Sequence, residues 1–169
     1  QEGLNAIIVN PGVILGAGFW NHGGSASLFK KAFKGISRYS QGNTGFIDVT
    51  DLTKIMLYLM KNSQPNENYI CISTHLTFKA FFDLLCVEFG KSVPKRKASN
   101  ILLEIGWRLD WLNNKIFGKR RELSKQLARS LNQLTYYDNS KLKSAIPFEL
   151  TNIKESITAN CKRYLEDNN

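Results

Sequence analysis

The sequence predicts an α/β fold with buried parallel strands, and three observations carry that expectation. Ala6-Ile7-Ile8-Val9 is a short, unbroken apolar run rich in β-branched residues, which suits a strand covered on both faces. Tyr69-Ile70-Cys71-Ile72 is a second such run, and a helix-patterned stretch lies between the two, as in a parallel βαβ crossover that carries an insertion. The first run stops at Asn10-Pro11-Gly12 and opens into a loop holding Gly16 and Gly18. Proline cannot donate to a strand ladder and glycine allows close backbone approach, so a buried strand opens there into a loop. In open α/β sheets the carboxyl end of a strand is where ligands sit.

In chain order, Phe19-Trp20-Asn21-His22-Gly23-Gly24 reads as a loop able to line a pocket. Ser25 or Ser27 is positioned to cap a helix over residues 28–34, ended by Gly35. Residues 36–40 and 46–49, joined by Gln41-Gly42-Asn43-Thr44-Gly45, predict a small hairpin outside the main sheet. Thr50 or Asp51 is a candidate cap for a helix over 52–61, with Leu52, Ile55, Met56, Leu59 and Met60 as its apolar stripe. After the second strand, Thr77 opens a helix with Phe78, Phe81, Phe82, Leu85 and Phe89 inward and Gly90 past its end. Residues 91–97 form a basic linker.

Residues 100–117 are strongly helical, but their apolar positions form two stripes: Ile101, Ile105, Leu109, Leu112 and Ile116 in one, Leu103, Trp107 and Trp111 in the other. So wide an apolar surface needs cover, and a packed lobe is its ordinary source. A membrane interface, which the tryptophans beside Lys119-Arg120-Arg121 would also fit, is the less favoured reading. Ser124 can cap residues 125–131, Asp138 or Asn139 starts a brief helix that Pro147 breaks, and Thr151 is the candidate cap of a last helix over 153–165. That helix turns Ile157, Cys161, Tyr164 and Leu165 inward.

With 169 residues, 43% hydrophobic and 22% charged, the chain is long enough for one packed core. No apolar run approaches the ~20 residues of a spanning helix. Cys71, Cys86 and Cys161 are odd in number and far apart, which argues against disulfides and a zinc site and fits reduced thiols in the cytoplasm. His22 and His75 lie in separate segments with no acidic cluster, so no metal is expected. Of the net charge of +9, the stretch 91–130 holds a surplus of eight, eleven Lys and Arg against Glu104, Asp110 and Glu122. A solvated basic face, a site for a phosphate-bearing substrate and an anionic surface are its three readings.

Asn10-Pro11-Gly12-Val13-Ile14-Leu15-Gly16-Ala17-Gly18 resembles the Asn/Arg-Pro-x-x-Val-x-Gly-Pro-Gly segment of the extended short-chain dehydrogenase/reductase family of NAD-dependent epimerases, dehydratases and reductases. Phe46-Ile47-Asp48-Val49-Thr50-Asp51-Leu52 resembles the family's Phe-Val-x-Val-x-Asp-Val element, and Tyr137-Asp138-Asn139-Ser140-Lys141-Leu142 its late Tyr-x-Asn-x-Lys stretch. Ala17 departs from the pattern, as does Pro147 after Ile146 where many members have Leu-Gly. The order of the three matches implies the C-terminal part of a Rossmann-like NAD(P)-binding fold: residues 1–15 and about 50–90 as the last strands and helices of the sheet, 16–49 and 91–169 as a mostly helical substrate lobe. An N-terminal half is expected to precede Gln1, which is not an initiator Met and runs into a buried strand within a few residues.

The resemblance implies NAD or NADP as cofactor, with Pro11, Gly12, Val13 and Ile14 on the nicotinamide side, chiefly through main-chain groups. Trp20, Asn21, His22 and Ser27 are the substrate-side candidates, followed by Phe46 and Asp48. For Asp48 and Asp51, helix capping is the competing role. Tyr137 and Lys141 have the four-residue spacing of the family's catalytic pair, but that pair comes before the first strand, so no catalytic residue is expected in this chain. The expected partner is a small-molecule substrate, with a nucleotide-linked one among the classes the resemblance implies, no nucleic acid, and a homodimer allowed. The alternative function is a non-enzymatic basic module for anionic partners or a membrane surface.

Overall fold

Residues 5–21, 23–118, 121 and 123–168 are described by the computed structural model. In chain order they form β1 (Ile8–Pro11), β2 (Val13–Leu15), α1 (Ala26–Lys34), β3 (Arg38–Tyr39), β4 (Asn43–Asp48), α2 (Val49–Asn62), β5 (Asn68–Cys71), β6 (Thr74–Thr77), α3 (Phe78–Glu88), β7 (Arg96–Lys97), α4 (Asn100–Phe117), α5 (Lys125–Ser130), α6 (Ser140–Ala145) and α7 (Ile153–Asn168).

The parallel pairing expected of the two apolar runs is present: β1 lies beside β5 with Val9 opposite Tyr69 and Pro11 opposite Cys71. But β1 is not covered on both faces as its apolar run predicts: Ile8 is 55% exposed and Asn10 and Pro11 are exposed, because β5 is its one strand partner among the described residues and little packs over it. Past Gly12 the chain changes partner. β2 runs parallel to β4, with Val13 opposite Phe46, and β4 is also antiparallel to β6. The expected hairpin of residues 36–40 and 46–49 does not form, because β3 pairs with β7 instead. The glycine-rich segment read as its turn is consumed elsewhere: the Gly42 and Asn43 amides donate to the carbonyls of Leu131 and Gln133. β4 thereby becomes the middle strand of its sheet.

Two apolar cores follow. One gathers Leu15, Trp20, Phe29, Phe46, Phe81, Leu85, Phe89 and the inner face of α7, with the Phe46 and Phe81 rings stacked at 4.7 Å. The other lies between α2, the β1–β5 pair and α6, around Ile47, Ile55, Leu59, Cys71 and Leu142. Within α2 the buried stripe is narrower than its spacing predicts. Leu52, Ile55 and Leu59 are buried while Met56 and Met60 are exposed, one step round the helix from the sheet.

Side-chain caps fix most helix starts. Thr77, Ser99 and Ser124 accept from the amides of Ala80, Leu102 and Leu127. Two starts differ from the sequence reading. α2 begins at Val49 with Asp48 as its cap, earlier than Thr50 or Asp51 would place it. α7 is capped by Asn152, which accepts from the Lys154 amide at 3.0 Å, while the Thr151 amide donates to Asp51. Ser25 precedes α1 without capping it and donates its hydroxyl to the Ile14 carbonyl.

The three cysteines are free and buried. Burial pushes the Cys71 thiol up to about 11 and Cys161 to about 12, and raises Cys86 as well. Almost no thiolate exists at neutral pH, so labelling by a thiol-specific disulfide reagent should wait on unfolding. The expected result is a labelling rate that climbs with denaturant in step with loss of helix signal; prompt labelling without denaturant contradicts it.

Candidate functional site

The polypeptide forks at Gly12. Its amide donates to the Cys71 carbonyl at 3.2 Å, closing the β1–β5 ladder, and the next residue already belongs to the β2–β4 pair. A Cβ on Gly12 would lie 2.3 Å from the Gly45 carbonyl oxygen and 2.8 Å from the Ile72 Cγ2, so the side-chain space of Gly12 is filled from within. Val13 packs on the first core and Ile14 on the second. Asn10 and Pro11 are exposed at the carboxyl end of β1. Of the four cofactor-side candidates Pro11 alone is exposed; the Gly12 amide is bonded to Cys71, and Val13 and Ile14 lie in the β2–β4 pair.

The substrate-side candidates scatter. Trp20 is buried at 7% exposure, with its indole edge-on to Phe29 and Tyr164 and its Nε1 donating to Asp167 at 3.0 Å. Phe46 is fully buried against Phe81. Both side chains sit in the first apolar core, packed on rings of α1, α3 and α7. Asn21 is exposed and accepts from the Lys30 ammonium. The Ser27 hydroxyl donates to the Gly24 carbonyl at 2.7 Å, a local turn bond within the loop. His22 lies outside the described residues.

Asp48 is the most heavily engaged of them. One carboxylate oxygen accepts from the amide and hydroxyl of Thr50, and the other from the Ser156 hydroxyl of α7 at 2.5 Å. Burial acts to raise its carboxyl, yet the bonds from Ser156 and Thr50 outweigh that and hold it below the ordinary 3.8. The competing role of helix cap is the one the geometry gives it. Because the folded form holds the proton less tightly than the unfolded form, this stabilisation is complete above pH 3.8 and is lost as pH falls through the lower folded value. Asp48→Ala should lose the cap and strand a buried hydroxyl, together about 2–4 kcal/mol. Asp48→Asn should lose less and flatten the acid limb of the stability curve, read from urea midpoints between neutral pH and pH ~3.

Beside the carboxyl end of the parallel pair lies a cleft of about 880 Å³, which the sequence reading did not identify. Ser73, Thr74 and Leu76 form one wall and the irregular segment 146–152 with the start of α7 forms the other. Two carboxylates at the start of α2 hold that second wall: the cap Asp48 through Ser156, and Asp51, itself 1% exposed, through the Thr151 amide at 2.5 Å. Asn139 steadies the first wall by donating to the Ile72 carbonyl at 2.7 Å. Lys143 and Lys154, with the amino end of α7, make the cleft favourable for an anionic group, offset in part by Glu149. Asp51 also pairs with Lys54 on its own helix at 3.6 Å, so the acid at this helix start gave no sequence signal for the distant Thr151.

Tyr137 and Lys141 do not act as a pair. Tyr137 precedes the α6 cap Asn139, donates its amide to His75 Nε2 at 2.9 Å and stacks on that imidazole. Lys141 pairs with Glu67 and lies over the Tyr69 ring. Among the described residues no group of three or more His, Cys, Asp or Glu is placed to hold a metal ion.

No family model and no curated protein matches the chain. Solved structures do. A nucleoside-diphosphate-sugar epimerase from Pseudomonas aeruginosa superposes with a TM-score of 0.73 at 16% identity, over 98% of this chain and 49% of that one. UDP-glucose 4-epimerase from Thermotoga maritima, solved with UDP-glucose, gives 0.67 at 13% identity over 100% of this chain and 48% of that one. RMD from Pseudomonas aeruginosa, complexed with NADPH, gives 0.63 at 14% identity over 98% and 49%. The chain shares the Rossmann-like α/β fold of these proteins and spans about half their length.

Proposed function

We propose that this chain is the C-terminal portion of an extended short-chain dehydrogenase/reductase, an NAD(P)-dependent epimerase, dehydratase or reductase working in the cytoplasm on a hydroxyl or carbonyl substrate. Residues 1–15 and about 50–90 would complete the dinucleotide-binding sheet, and 16–49 with 91–169 would form the substrate lobe. The Ser/Tyr/Lys acid–base set and the glycine-rich phosphate loop would come from sequence outside these residues. The observation that supports the reading is the fork at Gly12: the parallel strand β1 carries Asn10 and Pro11 at its carboxyl end, in a fold shared with nucleotide-sugar enzymes.

The residues present fit a dinucleotide on that side. Pro11 offers a rigid, exposed apolar ring with no donor to desolvate, and the bend behind it is fixed by the packing of Gly12 on Gly45. The cofactor, when bound, supplies the acceptor or donor of hydride. This chain's share is binding and orientation. The cleft walled by Ser73, Thr74 and residues 146–152 has polar groups and two lysines suited to a phosphate-bearing substrate, in keeping with the UDP-glucose of one structural neighbour. The fold alone leaves epimerase, dehydratase and reductase on equal terms.

Calorimetric titration of the intact protein with NAD and, separately, NADP tests this. One of the two should bind, and Pro11→Ala should weaken that binding without lowering the unfolding midpoint. Binding of neither dinucleotide removes the proposal.

A further inference from the structure

α4 is packed inside out. Not one of its residues from Asn100 to Phe117 is buried, contrary to the packed lobe its two apolar stripes predict. It meets α5 through the Glu104–Arg129 pair, and within the helix Glu104 also accepts from Trp107 and pairs with Arg108. Asp110 accepts from the Leu123 amide at 3.1 Å, and Leu103, Gly106 and Trp107 are half-buried. Gly106 comes against the Leu123 side chain. Both acids of the helix are thus engaged on the packed face or along its flank.

The opposite face carries Ile101, Leu102, Ile105, Leu109, Leu112 and Ile116, which at 100° per residue fill one continuous sector about 100° wide. All six are exposed, Ile101 at 73% and Ile116 at 61%. Arg108 and Lys115 border the sector on one side, and Trp111 stands just beyond them with the Lys115 ammonium 5.2 Å from its ring. A continuous aliphatic stripe edged by cations and tryptophan is the pattern of a helix that lies in a lipid–water interface. No helix of the described residues is long and apolar enough to cross a membrane.

We propose that α4 docks this protein on an anionic lipid surface, its aliphatic face in the acyl boundary and its basic border on the headgroups. Charge decides among occupants. Two copies meeting face to face would bring Arg108 and Lys115 of each together, while Glu104 already serves two arginines and Asp110 is turned to Leu123. A negative bilayer meets the same border favourably, and the wider stretch 91–130 with its surplus of eight positive charges adds long-range attraction. This inference does not rest on the dehydrogenase/reductase reading, and dinucleotide binding is measured separately from it.

The test is flotation of the intact protein with vesicles of phosphatidylcholine alone and of phosphatidylcholine and phosphatidylglycerol in equal parts. Binding should favour the mixed vesicles and weaken with added salt. Ile105→Ser with Leu112→Ser should lower binding about tenfold or more, because both side chains are exposed in the protein and buried in the bilayer. Lys115→Gln should lower it about fivefold on the mixed vesicles. Trp111 fluorescence should shift to shorter wavelength on binding, and Trp111→Phe should remove most of that shift. Failure to float with mixed vesicles overturns the proposal, as does binding indifferent to the Ile105/Leu112 pair. A dimer that the same pair dissociates, or capture of an acidic protein through α4 without lipid binding, assigns the face to another occupant and equally overturns it.

Discussion

Alanine at position 12 should cost about 3 kcal/mol or more of stability, and no second substitution nearby should restore it. The added Cβ would sit 2.3 Å from a backbone oxygen, that of Gly45, and a strand in the middle of a sheet has no free direction in which to retreat. Gly45→Ala is the informative contrast. Its Cβ would meet the Ile72 Cγ2 at 2.4 Å, but the obstacle there is a side chain. In an Ile72→Ala background part of the loss should return, a coupling of about 1 kcal/mol in a double-mutant cycle of urea midpoints. Equal rescue of both glycine variants would mean that the fork is not held by backbone contact.

Phe81→Ala should be the most damaging single truncation in the aromatic core, at about 3–5 kcal/mol. Phe81 is fully buried, stacks on Phe46 at 4.7 Å and meets Phe29 edge-on at 6.5 Å, so its loss opens a cavity between α3, α1 and β4 that neither partner can close. Against a total of about 5–15 kcal/mol, such a loss brings the protein close to unfolding at ambient temperature. Phe81→Leu, which keeps most of the volume, should cost markedly less. Thermal midpoints of the two variants check this, and similar midpoints would mean that the cavity collapses.

How much of this was legible depended on whether the deciding contact was local. The β1–β5 pairing, the caps Thr77 and Ser124 and the inner face of α7 follow from periodicity and capping chemistry within a few residues. The fate of β4 did not, because Asn43–Gly45 looks like a turn until Leu131, Gln133 and Ile72 are brought beside it. Trp20 and Phe46 sat in stretches that fit a pocket wall, and only the distant α3 and α7 reveal them as core. The cleft was hidden for the same reason, its walls meeting through Asp48 and Asp51 across about a hundred residues of chain. For α4 the periodicity was read correctly and the cover was not. Pattern identifies an apolar stripe but carries no information on what, if anything, lies against it.

Among the described residues no strand pairs with the strand next to it in sequence: β1 joins β5, β2 joins β4, β3 joins β7, and β6 reaches β4 across α2 and β5. A chain built this way has no hairpin to nucleate from. Loop-closure entropy must be met before any sheet contact rewards it, so helices form ahead of the sheet and folding is slow for the size of the domain. During synthesis β4 cannot be flanked on both edges until Thr77 has left the ribosome, and the aromatic side of α3 stays uncovered until α7 follows. Until α7 follows, the apolar side of α3 is surface that a chaperone or another chain could reach.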